Sequence, residues 1–174
     1  MNIEDIMPDF DLPAVDGNNH TNNFFDDTQC SLVIFGCNHC PYVVANHQRI
    51  VDLYEKFSND RFKMVMISSN DVIKYPQDSF DNMKNLSQQL NLQFPYLFDA
   101  SQEIAKTFGA ERTPEVFLFG ANHQLVYHGS IDDNCMEPKS VNEKFLENAI
   151  NAVLNDQNVT NNETQAVGCS VKWV

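Results

Sequence analysis

The chain has 174 residues, enough for one packed domain, and 43% of them are hydrophobic, which supplies a core. Its net charge of −13 repels phosphate backbones and anionic lipid, so neither nucleic acid nor a membrane surface is an expected partner. No apolar run approaches the length of a bilayer span, and Met1–Ile6 offers neither a basic region nor an apolar stretch, so the expectation is a cytoplasmic protein.

In chain order, Ser31–Phe35 is a short apolar run of the kind needed by a strand covered on both faces. Pro41 then opens a helix in which Val43, Val44, His47, Ile50, Val51, Tyr54 and Phe57 recur at helical spacing. Phe62–Ile67 is a second buried strand. Phe80, Met83, Leu86 and Leu90 mark another helix face, and Tyr96–Phe98 a short strand. Ser101 is placed to cap a short helix with Ile104, Ala105 and Phe108, which Gly109 stops. Glu115–Phe119 and Leu125–His128, linked through Gly120, Asn122 and His123, read as a hairpin. Ser140 with Glu143 has the form of a capping box and predicts the start of a last helix carrying Phe145, Leu146, Ala149, Ile150, Val153 and Leu154. From Asn155 to Gly168 the chain is polar and Asn-rich, without core periodicity. This order predicts an α/β domain over residues 1–154, with a central mixed sheet and helices on both faces. Residues 155–174 form an extended tail on the same domain.

Five cysteines stand at positions 30, 37, 40, 135 and 169, an odd number that does not suit a structural disulfide framework. Two of them form Cys37-Asn38-His39-Cys40, between a strand and a helix. At a helix N-terminus the unpaired N–H groups and the helix dipole favour an anion, and the thiolate is the reactive form of cysteine. A spacer of two residues lets the pair close a disulfide within one turn. A protonated His39 is expected to draw down the pKa of Cys37. Zinc is a rival reading, with Cys37, Cys40, His39 and His47 as ligand types, but no second Cys-x-x-Cys or His pair completes a paired set. No metal and no cofactor are expected. Beside Thr113-Pro114, exposed backbone facing the cysteines would be an edge for an extended substrate segment.

The order of these motifs, Cys37-Asn38-His39-Cys40-Pro41 and then Thr113-Pro114-Glu115-Val116-Phe117-Leu118-Phe119 before a hairpin, resembles the thioredoxin superfamily. One branch is especially similar, the peroxiredoxin-like (alkyl hydroperoxide reductase/thiol-specific antioxidant-like) proteins. The segments that carry this are Pro8–Pro13, Ser69-Asn70-Asp71, Tyr75–Ser79, Gly129–Asn134 and Gly168–Trp173. The resemblance implies a thioredoxin fold, a cis Pro114 and an antioxidant or oxidoreductase role. Gly36 stands before Cys37 where thioredoxins usually carry Trp, and Cys37 stands where peroxiredoxins carry Thr, so more than one chemistry stays open. In the leading one, Cys37 attacks a disulfide and Cys40 resolves. In the second, Cys40 is a peroxidatic cysteine and Cys37 its resolving partner. The third is a non-catalytic binding domain. The expected partners are protein or small-molecule disulfides or hydroperoxides, with a thiol reductant of the thioredoxin or glutathione type. Arg112 and Thr113 are accessory candidates. So is Cys169, which Val171 and Trp173 are expected to anchor; Cys30, at a strand start, and Cys135, in a loop, have weaker claims.

Overall fold

The computed structural model describes residues 1–59 and 61–174. Its strands are β1 (Asp11–Pro13), β2 (Asn19–Thr21), β3 (Cys30–Phe35), β4 (Phe62–Ser68), β5 (Tyr96–Phe98), β6 (Arg112–Thr113), β7 (Glu115–Gly120), β8 (Leu125–Gly129) and β9 (Cys169–Ser170). The helices are α1 (Pro41–Phe57), α2 (Phe80–Gln89), α3 (Glu103–Phe108) and α4 (Phe145–Leu154). A five-stranded sheet runs β5-β4-β3-β7-β8, with β3, β4 and β5 parallel and β7 and β8 antiparallel to their neighbours.

Side chains alternate across β3, as a strand's period of two requires. Leu32 and Ile34 pack with Ile50 and Leu53 of α1, Met83 of α2 and Ile150 of α4. Val33 and Phe35 face the other way, onto Phe108 of α3, Phe117 and the N-terminal residues Phe10 and Phe25. Phe35, Phe108 and Phe117 meet edge to face, 5.3 to 5.7 Å between centroids. Such aromatic pairs add about 0.5–1.5 kcal/mol each beyond their burial. Helices therefore cover both faces of a mixed sheet, which is the thioredoxin fold.

The topology makes the site. Strands β3 and β4 are parallel and in register, so the loops after Phe35 and after Ser68 leave the sheet side by side. Strand β7 runs against β3 with Glu115 opposite Phe35, so Thr113 and Pro114 arrive at the same end. The Thr113–Pro114 peptide bond is cis. The tail crosses the surface as a parallel bridge from Glu163 to His128, then β9 pairs antiparallel with β6.

Two capping expectations need correction. Helix α4 starts at Phe145 with Lys144 at its cap, and Ser140 instead ends a separate 3₁₀ turn, Pro138–Ser140. Glu143 uses its backbone carbonyl to hold Asp133. For α3 the cap is Gln102, in a left-handed conformation with φ of 63°, while the Ser101 hydroxyl accepts the Glu103 N–H at 3.3 Å. Gly109 ends that helix at φ of 71°. The β1–β2 hairpin gave no pattern to read. Its strands are three residues each, with Leu12 their one buried side chain, and it is held by Leu12 beneath it and by the Asn19 amide on Asp11.

Candidate active site

Cys37 lies in the loop after β3, and Cys40 is the N-cap residue of α1 with Pro41 at the first helical position. Both are buried, at 0% and 1% exposure. Thr113 closes over them: its hydroxyl is 3.7 Å from Cys37 Sγ and its carbonyl oxygen 3.2 Å from Cys40 Sγ. Val43 of α1 completes the small apolar cluster, with Tyr42 and Cys169 packed against it.

The two thiols differ sharply. Cys40 is lowered to about 4, above all by the hydrogen bond that the Cys37 thiol donates to it. Burial works against this. The Cys169 thiol, the Val43 N–H in the first turn of α1 and the Thr113 side chain add to the lowering. The Thr113 carbonyl is a single opposing acceptor against these donors. Cys37 moves the other way, because it is the donor in that bond, because it is buried and because the Asp78 carboxylate lies beside it. The first negative charge of the pair therefore sits on Cys40, at the helix start. The sequence expectation put the thiolate on Cys37 with His39 as its support; in the structure the helix start and its donors meet Cys40, and His39 bonds Asp78.

The His39 ring bonds a carboxylate. Its Nδ1 is 2.6 Å from Asp78 Oδ2, and its ring stacks on Tyr75 at 5.4 Å. Asp78 is fully buried and saturated with donors: Oδ1 accepts the N–H groups of Asn38 and His39, and Oδ2 accepts the Asn70 amide. Tyr96 steadies the same loop by donating to Asn38 at 2.9 Å. Asp78 and Asn70 were quoted in the sequence only as parts of a resemblance. Nothing in their spacing announces that a loop after β4 folds back onto the cysteines.

The zinc reading can be judged on these donors. A sulfur of Cys37, a ring nitrogen of His39 and an oxygen of Asp78 lie within 4.8 Å of one another, a set that includes neither Cys40 nor His47. Both oxygens of Asp78 are already engaged by protein donors, so the cluster is built as a hydrogen-bond network rather than a closed ligand set.

The remaining candidates are dispersed. Arg112 is exposed on β6, where it pairs with Ser170 and donates its backbone N–H to Glu115 at 2.7 Å. Cys30 is buried at the start of β3 among core side chains, which pushes its thiol up. Cys135 is half-buried in the loop after β8, where its carbonyl accepts from Arg49 and Asn46. Cys169 sits on β9, paired with Thr113. Of the two expected tail anchors, Val171 is buried at 3% exposure, but Trp173 remains 39% exposed beneath Lys106.

A fold of this kind with paired cysteines at a helix start defines a thiol-redox protein of the thioredoxin superfamily, peroxiredoxin-like in its details. The Redoxin family model matches residues 3–145, and the chain belongs to that family. A hypothetical protein from Sinorhizobium meliloti 1021 superposes with a TM-score of 0.94 at 33% identity, over 100% of this chain and 96% of that one. An uncharacterized conserved protein from Geobacillus kaustophilus gives 0.93 at 33% identity, over 99% and 93%. More distant neighbours share the fold. Peroxidoxin BcpB from Mycobacterium tuberculosis has a TM-score of 0.60 at 20% identity, over 72% and 83% of the chains, and thiol-disulfide oxidoreductases from Bacteroides belong to the same group. No curated protein matches the chain in sequence.

Proposed function

We propose that the protein is a cytoplasmic thiol–disulfide oxidoreductase that works through Cys37 and Cys40. The observation that carries this reading is the pair of buried thiols packed together at the start of α1, with Thr113 over both sulfurs. The Cys40 thiolate attacks one sulfur of a client disulfide and forms a mixed disulfide. Cys37 then attacks Cys40, closing the Cys37–Cys40 bond and releasing the client as a dithiol. Cys37 must lose its proton to do so, and the Asp78–His39 pair, within 4.8 Å of its sulfur, is the group placed to take it. A thiol reductant of the thioredoxin or glutathione type reopens the bridge. This order reverses the one expected from sequence, because the helix start holds Cys40 rather than Cys37.

A second reading follows from the same asymmetry. A thiolate on Cys40, directly before Pro41, also suits attack on a hydroperoxide. That step gives a Cys40 sulfenic acid, which condenses with Cys37 and releases water. The test is a pair of full-length variants, Cys37→Ser and Cys40→Ser, assayed with insulin disulfides and with hydrogen peroxide. Insulin reduction lost in both variants, with negligible peroxide consumption by the unmodified chain, supports the first reading. Rapid peroxide consumption that depends on Cys40 supports the second. Insulin reduction that survives in Cys40→Ser defeats the proposed order.

A further inference from the structure

The edge of Thr113 that an extended client segment would use is already occupied. Arg112 pairs with Ser170 and Thr113 with Cys169 in an antiparallel ladder. This packs Cys169 against the cluster of Cys37, Cys40 and Val43. Gly168 is the residue that lets the ladder close. A Cβ there would run into the carbonyl oxygen of Thr113 and the nitrogen of Pro114. Past the cysteine the segment is fixed by its backbone. Val171 N–H donates to the Glu111 carbonyl at 2.9 Å, and its side chain is buried. Lys172 N–H donates to Asn70 Oδ1 at 2.9 Å, while its carbonyl accepts from Asp71 N–H at 2.7 Å and from the Gln102 amide at 2.8 Å. Asn70 donates its own amide to Asp78, so one side chain ties the docked segment to the carboxylate beside Cys37.

We propose that residues 168–172 are an internal client: they fill the client-binding edge at Thr113, and Cys169 exchanges with the Cys37–Cys40 disulfide to carry it out of the buried motif. The proposal rests on the dithiol reading given above. The Cys169 sulfur attacks Cys40, the Cys40–Cys169 bond forms and the Cys37–Cys40 bond breaks. The electron pair goes to Cys37, which takes up the proton that Cys169 gives up. The exchange is an isomerisation and needs no outside oxidant or reductant. An external thiol then attacks the new bridge on the half-exposed Cys169 side, which both motif cysteines deny it. That attack frees Cys40 and leaves Cys169 in a mixed disulfide with the reductant; a second thiol of the reductant attacks the reductant's own sulfur, giving the fully reduced chain and the reductant as its disulfide.

Cys135 is the competing third cysteine. It lies close enough for the charge on Cys40 to raise its thiol, but its backbone is pinned to Arg49 and Asn46 and nothing pairs it with Thr113. The geometry selects Cys169.

The test is non-reducing peptide mapping of the full chain after one equivalent of diamide. Cys37→Ser should trap a Cys40–Cys169 bridge as the main product, and the unmodified chain equilibrated in a glutathione buffer should contain this bridge together with Cys37–Cys40. Gly168→Ala in the Cys37→Ser background should lower the yield of Cys40–Cys169 by about tenfold, the ratio that about 1.4 kcal/mol of lost docking produces. No Cys40–Cys169 bridge in either protein, or a bridge to Cys135 instead, overturns the proposal. An unchanged yield in Gly168→Ala overturns the role of the docked strand. Cys169→Ser separates this failure from that of the dithiol reading: it should still form Cys37–Cys40, and if it does not, the dithiol reading itself has failed.

Discussion

Two histidine–carboxylate pairs lie on either side of the Thr113–Pro114 segment and are built almost alike. His39 Nδ1 is 2.6 Å from Asp78, and His128 Nε2 is 2.7 Å from Glu115. Each carboxylate is buried, each accepts two backbone N–H groups of a neighbouring loop, and each histidine stacks on an aromatic ring. The Asp78 pair fixes Asn38 and His39, inside the cysteine motif. The Glu115 pair fixes Glu111 and Arg112, before Pro114. What separates them is the fourth partner. Asp78 also accepts the Asn70 amide and lies beside the Cys37 sulfur, whereas among the described residues the oxygens of Glu115 meet only Glu111, Arg112 and His128. The same construction thus braces a backbone turn in one place and lies against a cysteine sulfur in the other.

Catalysis should break the symmetry most. Asp78→Asn removes the charge of the Asp78–His39 pair placed to take the Cys37 proton, and general-base loss costs about 10²–10⁴-fold. Insulin reduction by Asp78→Asn should fall at least about a hundredfold on that scale, while Glu115→Gln should stay within about threefold of the unmodified chain. Equal losses in the two variants would mean that Asp78 acts only as a brace.

The thiol titration sharpens the same contrast. Cys40 is held to about 4, first by the hydrogen bond from Cys37. Cys37→Ala deletes that donor, so the Cys40 midpoint should rise toward the ~8.5 of a free thiol. Thiolate absorbance at 240 nm against pH reads this directly. The sign of the stability linkage follows from the lowered thiol. Its contribution is fully present above the unfolded value and is lost as pH falls through about 4. Reduced protein should therefore weaken with acid more steeply than Cys40→Ser. Glu115→Gln should leave the titration where it is.

Stability should separate the pairs by a smaller margin, and Asn70 is the reason. In Asp78→Asn the new amide NH₂ can meet the His39 ring as an acceptor, but it also confronts the Asn70 amide, donor to donor. Asn70 cannot turn over without dropping the Lys172 N–H. A buried unmet donor costs about 1–3 kcal/mol, which is about 2–12 °C in Tm at this chain length. Glu115→Gln has no such conflict, since its carbonyl keeps both backbone donors and its NH₂ can face the other tautomer of His128. It should lose about 1 kcal/mol or less. Differential scanning calorimetry of the two variants decides.

The contrast also shows which parts of the molecule a sequence can reveal. Strands β3, β4 and β7 were legible because burial on both faces writes itself as apolar runs such as Leu32–Phe35, while β8, whose burial alternates, was legible from the hairpin link before it. The motif was legible because the two cysteines and Pro41 are adjacent in the chain. Asp78 was not, because it comes from a loop 38 residues beyond Cys40 and reaches the cysteines only once β3 and β4 pair. Glu115 was taken as a strand residue, and the register that buries it beside His128 was not visible. The sequence reading put the thiolate on Cys37 for a related reason. His39 neighbours both cysteines in sequence, yet its ring turns to Asp78, and the helix start lies at Cys40. The capping box at Ser140 failed because Val141–Lys144 stays extended or irregular, so the helix begins beyond it.

His128→Phe is the mildest test and the least symmetrical one. The ring would keep its stack on Phe117, where centroids are 4.6 Å apart. It would lose the bond to Glu115, a hydrogen bond to a charged group, which is about 1.5–3 kcal/mol. In return it removes the buried Nδ1, which has no hydrogen-bond partner and lies 3.9 Å from Glu163, relieving about 1–3 kcal/mol. The two terms nearly cancel, so the urea midpoint should correspond to a change within about 1 kcal/mol. His39→Phe has no orphan atom to relieve, and its ring is partly in water, so it should cost about 1–2 kcal/mol more than His128→Phe. A loss above about 2 kcal/mol in His128→Phe would show that Nδ1 is satisfied in solution, with Glu163 or a water closing the 3.9 Å gap. In that case the two pairs would be more alike than their contacts indicate, and the stability difference between them would rest on Asn70 alone.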